Sequence, residues 1–362
     1  MMPFAMVLEE FNKPLVLREF PEPDLKPGEV LVKIEAAGVC GSDVHMWRGN
    51  DPRTPLPIIL GHEGVGRVKK INGKKRTVLG EKIKEGDMIL WNRGVSCGHC
   101  YFCSVKKEPS LCTNRWVYGI NVSCGEPPHL KGCYAEEVLL SSDTDIFKVP
   151  ESVDPAVLVP VSCSGATIAH AFDLAKPEEG DKILIQGPGP LGIFATAFAK
   201  AYGASEIIII GGTEERLEMA KRFGATFAIN RKKLSPEQRK EMVMERTHGL
   251  GADIAVEATG QPDAVSEGID LVRRGGKYLM AGFGDPNGTV TLDCYKDIAH
   301  KNINIQGVWV SDTKHTHMAL KLLLNNLNLF SELVSHRLPL DKANEALELM
   351  ESKKATKVVL TP

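Results

Sequence analysis

The segment Lys182-Ile-Leu-Ile-Gln186 runs directly into Gly187-Pro-Gly-Pro-Leu-Gly192, and small and apolar residues follow. The first five residues have the composition of a buried strand, and a glycine-rich turn that leads from a strand into a helix is typical of dinucleotide binding. We expect Gly187 to permit the tight turn, Gly189 to let the backbone approach a pyrophosphate, and Gly192 to let the helix pack on the strand. The alternative is an ordinary glycine-rich turn between a strand and a helix.

The start of the following helix suits an anion. Pro190 is placed in the first turn, where its missing N–H is harmless, and Leu191 follows it. The free N–H groups and the positive dipole end of a helix N-terminus attract phosphates. We therefore expect this turn to hold the phosphates of a nicotinamide dinucleotide.

Strand-like and helix-like segments alternate around this turn, which predicts βαβ units and a parallel sheet. Residues 1 to about 150 instead form short alternating runs broken by Gly and Pro, which predicts a region rich in strands and turns. The predicted strands of the middle region are Lys182–Gln186, Glu206–Ile210, Thr226–Ile229, Asp253–Glu257, Lys277–Ala281 and Asn302–Val310. The predicted helices between them are Leu191–Tyr202, Glu214–Phe223, Pro236–Thr247 and Asp263–Arg273.

The adenosine end of the predicted site lacks the usual acidic residue. A carboxylate is expected about 20 residues after the turn, at the end of the second strand, to hold the ribose 2′-hydroxyl. That strand ends Ile210-Gly211-Gly212-Thr213, and Glu214 and Glu215 belong to the next helix. Without a carboxylate the site would not repel a 2′-phosphate, which Thr213 and Arg216 could hold. We predict that NADP is tolerated and preferred.

The composition is that of an ordinary globular chain. Of its 362 residues, 43% are hydrophobic and 25% charged, and the formal net charge of −2 argues against a polybasic surface for nucleic acid or membranes. No apolar run reaches the ~18 residues of a membrane span, and residues 1–17 lack the pattern of a secretory signal. We expect a cytoplasmic protein of two domains.

Four of the nine cysteines lie within sixteen residues, as Cys97, Cys100 and Cys103 at three-residue intervals followed by Cys112. Thiolates at such spacing bind zinc tetrahedrally in closed structural sites. The chief alternative is an iron–sulfur cluster, but its fourth cysteine would follow more closely and precede a proline. The pattern predicts a structural zinc lobe over residues 95–114.

A second group of metal-ligand residues is dispersed. Cys40 follows a predicted strand, His62 and Glu63 lie some twenty residues on, and Cys163 lies beyond residue 150. A catalytic zinc needs about three protein ligands and one open position, which Cys40, His62 and Cys163 could supply. Spacing alone leaves this grouping open, because a lone cysteine is usually a small buried hydrophobe.

Several motifs together resemble those of the medium-chain, zinc-dependent alcohol dehydrogenases, over nearly the whole chain. They are Cys40-Gly-Ser-Asp-Val-His45, Gly61-His-Glu-Gly64, the four-cysteine lobe, Gly132-Cys-Tyr-Ala-Glu136 and the glycine-rich turn. The last gap of the lobe is one residue longer than the commonest family pattern. The resemblance implies an α/β chain with a GroES-like, partly open β-barrel catalytic domain at 1–155 and 300–362. A Rossmann domain with a doubly wound parallel sheet would occupy 156–299, and the active site would lie in the cleft.

The resemblance also implies roles for individual residues. Cys40, His62 and Cys163 match ligands of the catalytic zinc, and Glu63 matches a carboxylate that can approach it. Asp43 matches the acceptor that orients the liganding histidine.

The resemblance implies further roles at the substrate and the cofactor. Ser42 matches the hydroxyl that binds the substrate oxygen, His45 the solvent end of a proton relay, and Thr167 a threonine beside the nicotinamide.

These assignments imply a hydride transfer between an alcohol, or its aldehyde or ketone, and NAD(P), with two Zn²⁺ per chain. Within the superfamily a polyol or amino-alcohol dehydrogenase is the alternative, and Cys163 argues mildly against it. A zinc-free quinone reductase would lack both cysteine groups, and a non-enzymatic zinc-stabilised cofactor-binding protein would not need Ser42 and His45. The strand near Asn302–Val310 would extend the sheet across a subunit boundary, so a homodimer or homotetramer is expected.

Overall fold

The structure is a computed structural model that describes residues 2–362. The chain divides into two compact units. Unit 1 comprises the described residues up to Ala166 together with Ser311–Pro362, and unit 2 is Thr167–Val310. The division therefore falls after residues 166 and 310, where the sequence predicted 155 and 299.

Eighteen strands and ten α-helices make up the two units. The strands are β1 Phe4–Leu8, β2 Val16–Glu19, β3 Val30–Val39, β4 Ile58–Ile59, β5 Glu63–Ile71, β6 Met88–Trp91, β7 Gly94–Val95, β8 Trp116–Val117, β9 Glu137–Leu140, β10 Ile146–Lys148, β11 Lys182–Gln186, β12 Glu206–Gly211, β13 Phe227–Asn230, β14 Ala252–Glu257, β15 Val272–Met280, β16 Asn304–Gly307, β17 His336–Pro339 and β18 Val358–Thr361. The helices are α1 Gly41–Trp47, α2 Pro155–Leu158, α3 Ser164–Ala175, α4 Pro190–Ala201, α5 Glu214–Phe223, α6 Pro236–Arg246, α7 Pro262–Leu271, α8 Thr313–Leu324, α9 Leu327–Ser331 and α10 Ala343–Glu351.

Unit 1 is built on a seven-stranded sheet in the order β10-β6-β5-β3-β18-β17, with β9 also paired to β3. Strand β3 is antiparallel to β5, β9 and β18, so its ten residues are hydrogen-bonded to three partners along their length. Its burial pattern is almost continuous. The chain's last strand, β18, pairs Val358 with Val39, so the C-terminal segment lies against the strand that leads into α1. The small sheets β2-β1-β4 and β7-β8 complete the unit.

Unit 2 is a six-stranded parallel sheet in the order β13-β12-β11-β14-β15-β16. Numbered within the unit this is 3-2-1-4-5-6, the order of the Rossmann fold. The central strands β11 and β12 consist mainly of Ile and Leu and are buried beyond their first residue, as expected when helices cover both faces. The expected α/β class with a doubly wound parallel sheet is confirmed.

The largest difference between predicted and observed boundaries in unit 2 lies between α7 and β15. The sequence predicted a helix to Arg273 and a strand from Lys277, but α7 ends at Leu271 and β15 begins at Val272. Gly275 has a φ of +68°, and a Cβ at Gly276 would lie 2.4 Å from Val272 Cγ1. The two glycines let the strand pass this crowded point.

Among the described residues, no single helix is long and apolar enough to cross a membrane. The segments Pro155–Ser162 and Ser164–Ala175 meet the criteria of length and composition only as a pair bent by 43°.

Candidate active site

The four cysteines of the predicted structural lobe lie together in unit 1. Their sulfur atoms are all within 4.8 Å of one another, and Cys112 Sγ is 3.5 Å from Cys97 Sγ. Four sulfurs bound tetrahedrally at about 2.3 Å from one zinc ion lie roughly 3.8 Å apart. The four side chains therefore fit a Zn²⁺ ion.

The dispersed residues also converge, and all of them belong to unit 1. Cys40, His62, Glu63 and Cys163 each offer a ligand atom within 4.8 Å of the others. Cys40 Sγ and Cys163 Sγ are 3.9 Å apart, close to the spacing of two thiolates on one zinc ion. His62 Nε2 is buried and has no hydrogen-bond partner among the described residues. This donor set fits a catalytic zinc with three or four protein ligands.

Asp43 fixes the orientation of His62. His62 Nδ1 lies 3.2 Å from Asp43 Oδ1, and both side chains are completely buried. The other carboxylate oxygen, Oδ2, accepts hydrogen bonds from the Cys40 N–H and the Tyr134 hydroxyl. With Nδ1 held by Asp43, His62 presents Nε2 to the cysteines, as metal-binding histidines do.

The charges around these ligands are strongly coupled. The hydrogen bond from Cys163 holds the pKa of Cys40 well below its usual range. Burial opposes the charged form of His62, but the neighbouring Asp43 carboxylate and Cys40 raise its pKa to about 9. Zinc binds thiolate and neutral imidazole, so metal binding must displace protons here.

Glu63 is held by a buried lysine that sequence reasoning missed. Lys357, which directly precedes the chain's last strand, donates through Nζ to Glu63 Oε2 at 2.8 Å and to Oε1 at 3.0 Å. The two side chains are 1% and 0% exposed. The carboxylate also requires Gly38, because a Cβ there would lie 2.1 Å from Glu63 Oε2. Glu63 thus belongs both to the metal-ligand group and to an ion pair.

Ser42 and His45 lie three residues apart on helix α1, which places them on one face of the helix. Cys40 caps the N-terminus of this helix, and Cys40 Sγ is 3.8 Å from Ser42 Oγ. Both residues are partly exposed. Ser42 therefore stands next to a candidate metal ligand, and His45 lies one turn further on.

In unit 2 the glycine-rich turn has the expected shape. Gly187 has a φ of +104°, and a Cβ at Gly192 would lie 1.8 Å from the carbonyl oxygen of Gly187. Gly189 is the N-cap of α4, and Pro190 is its first residue. Leu191 and Gly192 follow in the first turn, where helix N–H groups have no partner within the helix. Thr167 lies in α3 and is buried.

The tip of β12 carries two cations that sequence reasoning missed. The strand ends at Gly211, and the next two residues, Gly212 and Thr213, carry no carboxylate. A Cβ on Gly212 would lie 3.3 Å from Lys232 Cε and 3.5 Å from Arg231 Nε. Thr213 caps α5 and is exposed, and Arg216 is half-buried on the same helix. The pairing of β12 with β13 brings Arg231 and Lys232 here; the sequence gave no local signal for it.

Comparisons with known proteins agree with this geometry. Residues 26–151 match the alcohol dehydrogenase GroES-like domain, and residues 190–325 match the zinc-binding dehydrogenase family. The chain belongs to the zinc-dependent medium-chain alcohol dehydrogenases. It is 34% identical over 360 residues to 5-exo-hydroxycamphor dehydrogenase of Pseudomonas putida, and the alignment covers 98% of each chain.

Other members of the zinc-dependent medium-chain alcohol dehydrogenases are similar over nearly the full length. L-Threonine 3-dehydrogenase of Bacillus subtilis is 31% identical over 351 residues, covering 96% of this chain and 95% of that protein. The crystal structure of an alcohol dehydrogenase from Thermotoga maritima has a TM-score of 0.97 and 51% identity, with both chains fully covered. The protein is thus a zinc-dependent, NAD(P)-linked oxidoreductase that acts on CH–OH groups, as its motifs implied.

Proposed function

We propose that Cys40, His62 and Cys163 hold the catalytic zinc ion of this dehydrogenase, with Glu63 beside it, and that Cys97, Cys100, Cys103 and Cys112 hold the structural one. The convergence of the four dispersed ligand atoms within 4.8 Å carries this assignment. When bound, the catalytic zinc supplies Lewis-acid polarisation of the substrate oxygen.

The chain's own residues would handle the proton. Ser42 Oγ lies next to the candidate ligands and would accept the proton of the alcohol while donating its own. His45 lies on the same face of α1 and is partly exposed, so it would pass that proton to solvent. Asp43 would keep His62 in the tautomer that presents Nε2.

Unit 2 would bind the nicotinamide dinucleotide. The first turn of α4, with Gly187, Gly189, Pro190, Leu191 and Gly192, would receive the pyrophosphate. Gly211, Gly212, Thr213 and Arg216 would surround the adenosine ribose, and Thr167 would lie beside the nicotinamide. Because Arg231 and Lys232 lie beside Gly212, and the strand end itself has no acidic residue, we propose that NADP is preferred over NAD.

An amino-alcohol dehydrogenase remains the second candidate. Several of the relatives, at 29–31% identity, are L-threonine 3-dehydrogenases. Turnover of L-threonine in preference to simple alcohols would establish this function over the first.

We further propose a cytoplasmic homodimer or homotetramer. Strand β16 is the free edge of the parallel sheet in unit 2, and its residues are exposed or partly exposed. An unpaired edge can pair with the same edge of a second copy. Light scattering that reports a stable monomer would contradict this assembly.

The experiment for the proposed activity is a panel of simple alcohols, polyols, L-threonine and aldehydes with each coenzyme, followed by the absorbance of the reduced nicotinamide. Oxidation of at least one alcohol by the zinc-loaded protein is expected. Absence of any turnover at full zinc content would contradict the proposal.

A further inference from the structure

Two buried arginines beside the candidate metal ligands have N–H groups that meet no acceptor. Arg93 Nε and both Nε and Nη2 of Arg115 are fully buried without a hydrogen-bond partner among residues 2–362. The Arg93 residue is only 6% exposed. More than nine in ten buried polar groups in native proteins are paired, and unpaired charged donors are the costliest exceptions. This cluster therefore calls for an acceptor that the chain itself does not provide.

Arg93 lies at the candidate metal site. It stands between β6 and β7, where its carbonyl oxygen accepts the Tyr118 N–H at 3.0 Å. Its Nη1 donates to Cys163 Sγ at 3.0 Å. The unpartnered Nε belongs to the same planar guanidinium as the Nη1 that contacts Cys163.

Arg115 provides a second positive charge next to the first. It precedes β8, which pairs with β7, and its guanidinium packs so closely on Gly94 that a Cβ there would lie 1.8 Å from Nη2. Its Nη1 donates to the Ser311 carbonyl oxygen at 2.8 Å. Burial and the neighbouring charge of Arg93 lower the pKa of Arg115 to about 10.

Negative charges near the pair do not satisfy the free N–H groups. Asp312, Cys112 and Cys103 favour the charged form of Arg115 electrostatically. None of them accepts a hydrogen bond from its Nε or Nη2. The hydroxyls of Ser162 and Ser311 are also buried without partners among the described residues. The surroundings thus supply hydrogen-bond donors where a ligand oxyanion would need them.

We propose that the substrate of this dehydrogenase carries an oxyanion, a carboxylate or a phosphate, close to its carbinol carbon, and that Arg93 binds it with Arg115 as the supporting charge. This inference rests on the proposed function. A guanidinium binds both oxygens of such a group through its planar fork. Arg93 Nη1 contacts Cys163 Sγ, so an oxyanion bound by Arg93 would lie close to a substrate oxygen at the candidate metal ligands. The substrate class is that of short 2- or 3-hydroxy acids and small phosphorylated alcohols.

A purely structural role for the two arginines makes different predictions. Arg93 would then only stabilise the Cys163 thiolate, and Arg115 would only balance the charge of the four-cysteine lobe. Removing either would lower zinc content and would affect charged and neutral substrates alike. If Arg93 instead binds an oxyanion of the substrate, its removal should change the ratio of kcat/KM for charged substrates to kcat/KM for neutral ones.

The test compares alcohols that differ only in the anionic group, using the zinc-loaded enzyme with each coenzyme. The pairs are lactate with lactamide, 3-hydroxybutyrate with 3-hydroxybutyramide, and glycerol 3-phosphate with glycerol. The variants are R93Q, R93K and R115Q, with R67Q as a surface control whose guanidinium binds Glu151 and Glu35. Zinc per chain and calorimetric binding of lactate without nucleotide are measured for each protein.

In at least one pair, the wild-type protein and R67Q should favour the charged member by roughly tenfold or more in kcat/KM, since hydrogen bonds to charged groups are the stronger class. R93Q should lose this preference mainly through a higher KM for the charged substrate. It should retain its zinc but no longer bind lactate in the calorimeter. The charge preferences of R93K and R115Q should lie between those of the wild type and R93Q. If some alcohol is oxidised but no pair shows a preference for its charged member, or if R93Q slows both members of a pair equally, the inference is overturned while the proposed activity stands. No turnover of any alcohol would overturn both.

Discussion

Replacing Lys357 by Met should destabilise unit 1 severely, because it leaves a buried carboxylate without its partner. Lys357 Nζ donates to both oxygens of Glu63, and neither side chain reaches solvent. Breaking a buried pair in this way costs about 3–5 kcal/mol. For a unit of about two hundred residues, each kcal/mol shifts the unfolding midpoint by roughly 2–4 °C. The expected decrease is therefore roughly 6–20 °C, measured by calorimetry on protein of known zinc content.

Two further variants separate the buried charge from other effects. Combining Lys357→Met with Glu63→Leu removes the unpaired carboxylate and should recover most of the lost stability, since an apolar pair often replaces a buried ion pair without cost. Arg337→Gln breaks an exposed ion pair with Asp154 and should cost no more than about 1 kcal/mol. A Lys357→Met midpoint no lower than that of Arg337→Gln would refute the reasoning.

Three other outcomes follow from individual side chains. Ser42→Ala should lower turnover roughly 10²- to 10⁴-fold while zinc content and coenzyme binding persist; undiminished turnover would remove Ser42 from the proton path. Arg231→Ala should lower kcat/KM about tenfold for NADP but little for NAD, and equal losses with both coenzymes would contradict a 2′-phosphate site. Burial lowers the pKa of Lys131 to about 8, so between pH 8 and 10.5 the unfolded chain binds more protons and stability should rise with pH. Lys131→Met should abolish that rise and raise the unfolding midpoint at pH 7. If the stability of the variant and that of the wild type change with pH in the same way, Lys131 is not the group responsible.

Local patterns in the sequence predicted much of unit 2. The glycine-rich turn, β11 and α5 were predicted with the bounds that the structure has, because each depends on a short run of residues. The four-cysteine lobe is equally local. The expected zinc and NAD(P) cofactors agree with the family and with the ligand groups in the structure.

The group of Cys40, His62, Glu63 and Cys163 was harder to predict because its members are far apart in the chain. Spacing alone could not join Cys163 to Cys40 across 123 residues, and only the family resemblance suggested it. Lys357 had no signal at all, since it meets Glu63 across 294 residues when β18 pairs with β3. Arg93 and Arg231 were missed because the fold, not a sequence motif, gives each its neighbours. Arg93 meets Cys163 across 70 residues, and the pairing of β12 with β13 brings Arg231 beside Gly212.

Metal analysis of a Cys163→Ala variant tests the catalytic-zinc assignment most directly, with Cys133→Ala as the control at a buried cysteine outside both ligand groups. The wild type and Cys133→Ala should contain two zinc ions per chain. Cys163→Ala should contain one, retained by the four-cysteine lobe, and should not oxidise alcohols. Two tightly bound zinc ions with normal turnover in Cys163→Ala would contradict the account.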